Sequence, residues 1–250
     1  MMVAIHCLVI LFAVLTKITM GLTGDLDSDS IIAFIMLMLS MIVIGSAAIF
    51  TMVFVGYRFY KSVFTDQGYL TNTLPVTQRQ IITAKGIVGV IWLVINFVII
   101  AAAIMFMVIS RDNFGDICLT LREVIDGLMA QGMSLTFVLT LTSLIISPFA
   151  TVLQLYFCVA VGNLFTGHKV LGAIAAYAAT YTVQQIIGLM ILLGSGFQMV
   201  VSTVENTQNS VAYFDTMNVT MVASLMVTII FTVVFYLGTN YIMTKKLNLQ

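Results

Sequence analysis

Charged residues are scarce in this sequence of 250 amino acids. Only 8% of the residues are Asp, Glu, Lys or Arg, whereas 61% are hydrophobic, and the mean hydropathy is +1.12. A soluble domain of this composition would have too little polar surface to cover its core. The composition therefore excludes an ordinary soluble protein and predicts an integral membrane protein.

The residue types that enzymes and metal sites use are also few. The two histidines, His6 and His168, belong to different elements, and neither lies in an HExxH motif. The three cysteines form no CxxC pair, and no Asp or Glu lies within a long apolar run. The segment GNLFTGHK, residues 162–169, departs from a phosphate-binding loop because His and Lys stand where Lys and then Ser or Thr belong. We therefore expect no catalytic residue, no metal site and no cofactor.

Long apolar segments dominate the rest of the sequence. A transmembrane helix needs about 20 apolar residues, and six segments qualify, at residues 3–20, 31–55, 87–109, 135–161, 170–193 and 219–241. None of them alternates between apolar and polar residues, so helices are the way to satisfy their backbone in lipid. The sequence predicts an all-α, polytopic membrane protein with six transmembrane helices in a single domain, residues 1–250.

The positions of Lys and Arg predict the orientation of these helices. The connection between the second and third spans, residues 57–86, is basic, as are the turn before the fifth span and the carboxyl end; the cations are Arg58, Lys61, Arg79, Lys85, Lys169, Lys245 and Lys246. Most acidic residues lie in the other connections. By the positive-inside rule both termini face the cytoplasm, although Lys17 at the end of the first span disagrees. The zero net charge gives no indication of nucleic-acid binding.

The basic connection contains an unusually polar stretch, GYLTNTLPVTQRQIITAKG. Pro75 ends the preceding element, and Thr77 with Gln80 fits a capping box, so the spacing predicts a helix that begins at Gln78. Tyr69, Leu70 and Leu74 are then the apolar side chains of a short exposed tip. A solvated connector held to lipid headgroups by its cations is one interpretation of this stretch, and a docking surface is the other.

The run RFYKSVFTDQGYLTNTLPVTQRQIITAKG resembles the loop between spans two and three of bacterial ABC-2 type permeases, the membrane subunits of ATP-binding-cassette exporters. The stretches GHKVLGAIAAY and YIMTKKLNLQ are similar to the same family. The resemblance implies a six-helix permease of the cell membrane that forms a homodimer or heterodimer. It also implies a separate cytoplasmic ATPase subunit, for which the loop at 57–86 acts as the coupling helix.

Under this resemblance the ATPase-coupling residues are Tyr69, Leu70, Leu74, Pro75, Thr77, Arg79 and Lys85. The three apolar side chains enter a groove on the ATPase, while Arg79 and Lys85 orient the tip against acidic groups or lipid phosphates. The chain itself is then not an enzyme, and the exported cargo is lipophilic or peptide-like. The alternatives are an immunity or sensor protein that binds a toxic peptide without an ATPase, and a secondary carrier driven by an ion gradient.

Polar and small residues within the spans predict contacts between helices. Amides at Asn96, Gln154, Gln184 and Gln185 are expected to pair with neighbouring helices rather than to bind a substrate. These neutral amides are taken as the only polar groups of the spans, and the lack of an ionisable residue there weakens an ion-coupled carrier. Gly172 with Ala176, and Ala175 with Ala179, lie four residues apart in the fifth span, a spacing that allows close helix packing.

Two segments on the opposite side of the predicted membrane are also distinctive. Apolar residues recur at helical spacing between Arg111 and Gly132, which predicts an amphipathic helix at the outer interface; they are Leu121, Val124, Ile125, Leu128 and Met129. Gly194 and Gly196, followed by residues 197–217, resemble the re-entrant segment that ABC-2 permeases place before span six.

Overall fold

The computed structural model describes residues 2–23, 31–65, 67–68, 75–109, 114–130, 134–165, 167–204 and 210–245. The regular elements in these ranges are α-helices: α1 Met2–Thr23, α2 Ile31–Val63, α3 Gln78–Val108, α4 Phe114–Ala130, α5 Ser134–Gly162, α6 Lys169–Val204 and α7 Ser210–Lys245. All except α4 are long and apolar enough to cross a membrane. The predicted all-α fold with six candidate membrane helices is therefore confirmed, while the side on which the termini lie stays a prediction.

The start of α3 agrees with its predicted cap. The Thr77 backbone N–H donates to the Gln80 side-chain oxygen Oε1 at 2.9 Å, and the Gln80 N–H donates to the Thr77 carbonyl at 3.0 Å. The glutamine arm of a capping box is thus formed, and the helix begins at Gln78 as expected. With this cap, α3 begins at Gln78, well before the apolar run that starts at residue 87.

Helix α5 contains Pro148 in its interior. A proline has no N–H for the carbonyl four residues earlier, which here belongs to Leu144. The hydroxyl of Ser147 donates to that carbonyl at 3.3 Å. The side chain thereby replaces the missing backbone donor, which is how a proline is accommodated within a membrane helix.

The chain divides into two compact units. The first comprises residues 1–55 and 88–123, and the second comprises residues 56–87 and 124–250. An apolar cluster forms the core of the first unit, with contributions from α1, α2 and α3: Val9, Ala13, Ile44, Ala47, Ala103 and Met107. The first unit therefore joins the membrane portions of three consecutive spans around one core.

Two polar contacts fix the register of α1 and α3 in the first unit. The ring nitrogen Nε2 of His6 lies 3.2 Å from Oδ1 of Asn96, and the Lys17 amine donates to the Met107 carbonyl at 3.5 Å. Each pair is separated by 90 residues in sequence, so the two helices run parallel in constant register. Asn96 thus makes the interhelical contact predicted for it.

The contacts of Lys17 give a reason for a cation at the end of the first span. Its amine donates to the carbonyl of Met107, in the last turn of α3, and to that of Ile109, directly after the helix. Carbonyls at a helix carboxyl end lack partners within the helix and carry partial negative charge. Lys17 therefore caps the carboxyl end of α3. The positive-inside pattern alone gave no reason for a cation at this position.

In the second unit, α5 packs against both α6 and α7. The Gln154 amide donates to the Thr180 hydroxyl of α6 at 3.2 Å, and the Thr136 hydroxyl donates to the Asn218 side chain of α7 at 2.6 Å. Gly238 of α7 leaves room for a ring of α5, since a Cβ there would lie 2.6 Å from Cε2 of Phe157. Gln154 thus connects helices as predicted.

The structure agrees with one of the two predictions made for the segments away from the basic connection, the amphipathic helix, and not with the other, the re-entrant segment. The predicted amphipathic helix is present as α4, in which Leu121, Val124 and Ile125 are exposed; the side chains of Leu128 and Met129 lie outside the described part. Helix α6 continues through Gly194 and Gly196 to Val204, and α7 begins at Ser210. Within the described residues, the resemblance to a re-entrant break at these glycines is therefore not realised.

Candidate docking site between helices α2 and α3

The connection between α2 and α3 forms the candidate docking site, and we call residues 57–86 the hairpin. Of the predicted coupling residues, Tyr69, Leu70 and Leu74 lie outside the described residues. The other four lie on the second arm of the hairpin, where Pro75, Thr77 and Arg79 are exposed and Lys85 is half-buried. The structure thus describes both arms of the hairpin but not its tip.

Gly68 closes the first arm. Its N–H donates to the Thr65 carbonyl at 2.6 Å, directly after α2 ends at Val63. A Cβ on Gly68 would clash with the backbone carbonyl group of Val63. Because backbone atoms cannot move aside as a flexible side chain can, only glycine fits this turn. The close approach predicts that the direction in which the chain leaves α2 depends on Gly68.

A single tyrosine of α5 contacts both arms. The ring of Tyr156 stacks on Phe59 of α2 with a centroid distance of 3.8 Å and an interplanar angle of 8°. Its hydroxyl donates to the backbone carbonyl of Lys85 in α3 at 2.8 Å. Phe59 and Tyr156 are only 1% and 2% exposed. The base of the hairpin is therefore fixed by stacking on one side and a hydrogen bond on the other.

Buried apolar residues complete the base of the hairpin. Phe64 meets the Phe59 ring edge-on at a centroid distance of 6.0 Å, and Val63 is also buried at the end of α2. On α3, Ile81 and Ile82 are buried while Arg79 and Gln80 are exposed. One side of each arm therefore packs inward, and the polar side of α3 remains accessible.

Sequence reasoning missed Phe59 and Tyr156. Both stand near the ends of apolar runs, in RFYKSVF and LQLYF, where aromatic residues commonly mark the membrane interface. This pattern predicts that each ring lies near the membrane interface. It does not predict that the two rings stack, because they are far apart in sequence and only the packing of α5 against α2 brings them together.

Six described cations lie at the same ends of the helices as the hairpin, and we call them the basic edge: Arg58, Lys61, Arg79, Lys85, Lys169 and Lys245. Within the part of the chain that the structure describes, none of them forms an ion pair with a carboxylate. The Lys245 amine lies 5.8 Å from the centre of the Tyr241 ring. The basic edge is therefore available to an anionic surface.

Gly172 lies where α6 meets the end of α5. A Cβ on Gly172 would lie 2.6 Å from Cδ2 of Phe165 and 3.2 Å from Cα of Gly162. A Cβ on Gly162 would in turn lie 2.5 Å from the backbone nitrogen of Ala173. The two glycines thus allow the backbones to approach directly. The Thr180 hydroxyl donates to the Ala176 carbonyl at 2.9 Å. The same hydroxyl accepts from the Gln154 amide.

Helix α6 is mostly exposed beyond its contacts with α5 and α7. Among the described residues 169–197 only Gly172 is buried. Gln185 is exposed and Gln184 partly exposed, and among the described residues neither has a hydrogen-bond partner. Ala175 and Ala179 are exposed on the same helix. The interhelical contacts predicted for Asn96 and Gln154 are formed within this chain, but those predicted for Gln184 and Gln185 are not.

One ionisable residue was overlooked among the polar groups of the spans. His6 lies within α1, is only 6% exposed and contacts Asn96. Sequence reasoning counted only neutral amides as polar groups of the spans, although residue 6 lies within the predicted first span, 3–20. No group of three or more potential metal ligands occurs among the described residues.

No protein-family profile matches the chain, and no curated protein or solved structure shows significant similarity to it. The fold and the hairpin therefore have to be interpreted from their own chemistry.

Proposed function

We propose that the protein is the permease subunit of an ATP-binding-cassette exporter of the ABC-2 type. The observation that supports it is the base of the hairpin, where Tyr156 contacts Phe59 in one arm and Lys85 in the other. A coupling element has to transmit movement between an ATPase and the membrane helices, so its arms must be joined firmly to the bundle. A passive connector has no need of a buried aromatic stack at its base.

In this proposal the tip carries Tyr69, Leu70 and Leu74 into a groove of a cytoplasmic ATPase, and Pro75 and Thr77 define where α3 begins. Arg79 on the exposed side of α3 orients the tip. The ATPase hydrolyses ATP, and the permease moves a lipophilic or peptide-like cargo out of the cell. The chain is not itself an enzyme.

Photocrosslinking tests the docking surface directly. A photoreactive amino acid at Tyr69 should form an adduct with an ATP-binding-cassette ATPase in membranes, whereas the same group at Leu119, exposed on α4, should not. An ATPase adduct from Leu119 but not from Tyr69 would place docking elsewhere. The absence of an ATPase adduct at both positions, with the protein folded, would favour the immunity or sensor function.

The orientation has its own test. Single cysteines at Gln67 and Thr166, on a background without the three native cysteines, should be protected from a membrane-impermeant thiol reagent in intact cells. Cysteines at Ser28 and Asn209 should react. Thr166, Ser28 and Asn209 lie outside the described residues, but the positive-inside pattern assigns each a side. Labelling of Gln67 from outside the cell would reverse the orientation and remove the docking proposal.

We further propose that α6 contacts a second permease subunit, either another copy or a homologous chain. Lipid readily covers exposed apolar side chains, but it offers no partner to the Gln185 amide. Gln185 lies 16 residues after Lys169 in a segment that extends to Phe197, which puts it near the middle of the span. A polar side chain at that depth normally faces protein or water. An amide both donates and accepts, so the same side chain on a second copy could satisfy it.

His6 favours a second candidate function, a secondary carrier driven by an ion gradient. A buried ionisable residue in a membrane helix is a candidate proton-binding group, and the contact with Asn96 positions the ring. Reconstituted vesicles containing this chain alone distinguish the candidates. Uptake or release driven by a pH gradient, and lost in His6→Gln, would favour the carrier; transport that requires ATP and an added ATPase would favour the exporter.

A further inference from the structure

Arg58 and Lys85 lie on neighbouring helices, and the contacts of Tyr156 hold them together. Phe59, the residue after Arg58, stacks on the Tyr156 ring, and the Tyr156 hydroxyl binds the carbonyl of Lys85 itself. Arg58 and Lys85 are also near enough for their like charges to act on each other. The fold therefore brings both cations to the base of the hairpin.

No described carboxylate neutralises this pair. The acidic residues whose side chains the structure describes, Asp116, Glu123 and Asp126, belong to α4. Asp66, in the hairpin, lies outside the described residues. Two cations held close together repel each other, and an anion that contacts both relieves the repulsion. The pair thus has the charge to receive an anionic group.

The position of the pair along the helices indicates which anion is available. Arg58 follows the apolar run that ends at residue 55, and Lys85 precedes the run that begins at residue 87. Both cations therefore lie at the level where an apolar helix emerges into the headgroup region of a bilayer. Phosphodiesters of phospholipids are the abundant anions there, and basic pockets between membrane helices bind such headgroups.

The two side chains also match a phosphodiester chemically. Arg58 is exposed and presents a planar guanidinium that can bind two phosphate oxygens at once. Lys85 is half-buried and adds a point charge from the side of α3. We propose that Arg58 and Lys85 form a binding site for the phosphodiester headgroup of an anionic phospholipid. This site requires neither the ATPase nor a particular orientation of the chain.

Native mass spectrometry of the purified full chain tests the site by titration with phosphatidylglycerol and, in parallel, phosphatidylcholine. The variant Arg58→Gln/Lys85→Gln should lose affinity for phosphatidylglycerol by about fivefold for each cation removed. The matched control Lys61→Gln/Lys245→Gln removes the same charge from exposed positions of the basic edge and should bind like the parent. Thermal unfolding in detergent verifies that both variants are folded.

If the double variant does not fold, Arg58→Gln alone serves, because Arg58 is exposed, and a fivefold loss is expected. Equal losses in the test and control variants would show diffuse attraction to the basic edge and overturn the proposal. Equal binding of phosphatidylglycerol and phosphatidylcholine by the parent would also overturn it. Displacement of the lipid by millimolar inorganic phosphate at constant ionic strength would reassign the site to a free anion.

Discussion

The hairpin and helix α6 are two candidate interfaces with opposite construction. The hairpin is anchored at its base by buried aromatic residues and presents polar and basic side chains. Helix α6 contacts α5 through Gly172 and Thr180 and also packs against α7, but most of its other side chains are exposed, and two of its amides have no partner among the described residues. A rigid, polar element suits a water-soluble partner, whereas an apolar helix with unsatisfied amides suits a partner within the membrane.

The difference also shows what each surface needs in order to work. In the proposed function the hairpin has to keep its shape when an ATPase acts on it, and the contacts that would stabilise it lie within this chain. Under the proposed assembly, helix α6 presents an exposed face whose amides would be paired by a second subunit. Mutations at the base of the hairpin should therefore act on the isolated protein, and mutations on the open face of α6 should act on association.

The largest expected effect is at Tyr156. Tyr156→Ala removes a buried ring from the stack with Phe59, and losses of about 3–5 kcal/mol are typical for a buried aromatic residue replaced by alanine. Tyr156→Phe keeps the ring and removes only the hydrogen bond to Lys85, at about 1 kcal/mol. Reversible unfolding in mixed micelles measures both. Equal losses in the two variants would show that the stack does not anchor the hairpin.

The contact between α5 and α6 should be the next most sensitive. Gly172→Leu places a side chain against Phe165 and the backbone of Gly162, and overpacking of this kind costs about 1–3 kcal/mol. Val170→Leu is the control, because Val170 is 70% exposed and its enlargement should be tolerated. Ala176→Leu should fall between the two, since Ala176 is half-buried. The yield of monodisperse protein and its unfolding temperature check the order.

Association through α6 should respond to a smaller change. Gln185→Leu removes an amide that we assign to the subunit interface, and interhelical hydrogen bonds in membranes contribute about 0.6–2 kcal/mol. The dimerisation constant in bilayers, measured by Förster transfer between labelled chains, should fall by about 3- to 30-fold. Gln154→Leu is the contrasting variant: its amide binds Thr180 within the chain, so it should lower stability more than association. An unchanged dimerisation constant in Gln185→Leu would remove this amide from the interface.

The smallest effect is expected at the cap of α3. Gln80→Ala removes the side-chain oxygen that accepts from the Thr77 N–H. It should weaken the start of the helix by about 1 kcal/mol and so reduce coupling without abolishing it. Thr83→Ala is the control, because the Thr83 hydroxyl is exposed and binds only the Arg79 carbonyl of its own helix. Hydrogen exchange at the first turn of α3 should increase in Gln80→Ala alone. Equal exchange in the two variants would contradict the proposed cap.

The sequence was sufficient for the helices because each signal was local. Apolar runs predicted six spans, and the Thr77 and Gln80 pattern predicted where α3 begins. Contacts between distant residues were not predictable in this way. The stack of Phe59 on Tyr156, the cap that Lys17 provides for α3 and the burial of His6 all depend on how separate helices pack. The lone sequence gives the chemistry of each side chain but not its neighbour.

The two amides Gln154 and Gln185 also show that contacts between helices could not be predicted from the sequence. Gln154 and Gln185 are equivalent by composition and by position within an apolar run, and both were expected to connect helices. The structure distinguishes them, because the Gln154 amide binds Thr180 of α6 while Gln185 is exposed.

The central proposal is that the hairpin couples this protein to an ATPase, and copurification with that ATPase tests it most directly. Tyr69→Ala/Leu74→Ala should abolish copurification and cargo-stimulated ATP hydrolysis while the protein remains folded, because anchor residues at an interface typically contribute about 2 kcal/mol or more each. Lys245→Gln/Lys246→Gln, outside the proposed contact, should copurify like the parent. A Tyr69→Ala/Leu74→Ala protein that assembles with the ATPase and turns over ATP like the parent would contradict the account.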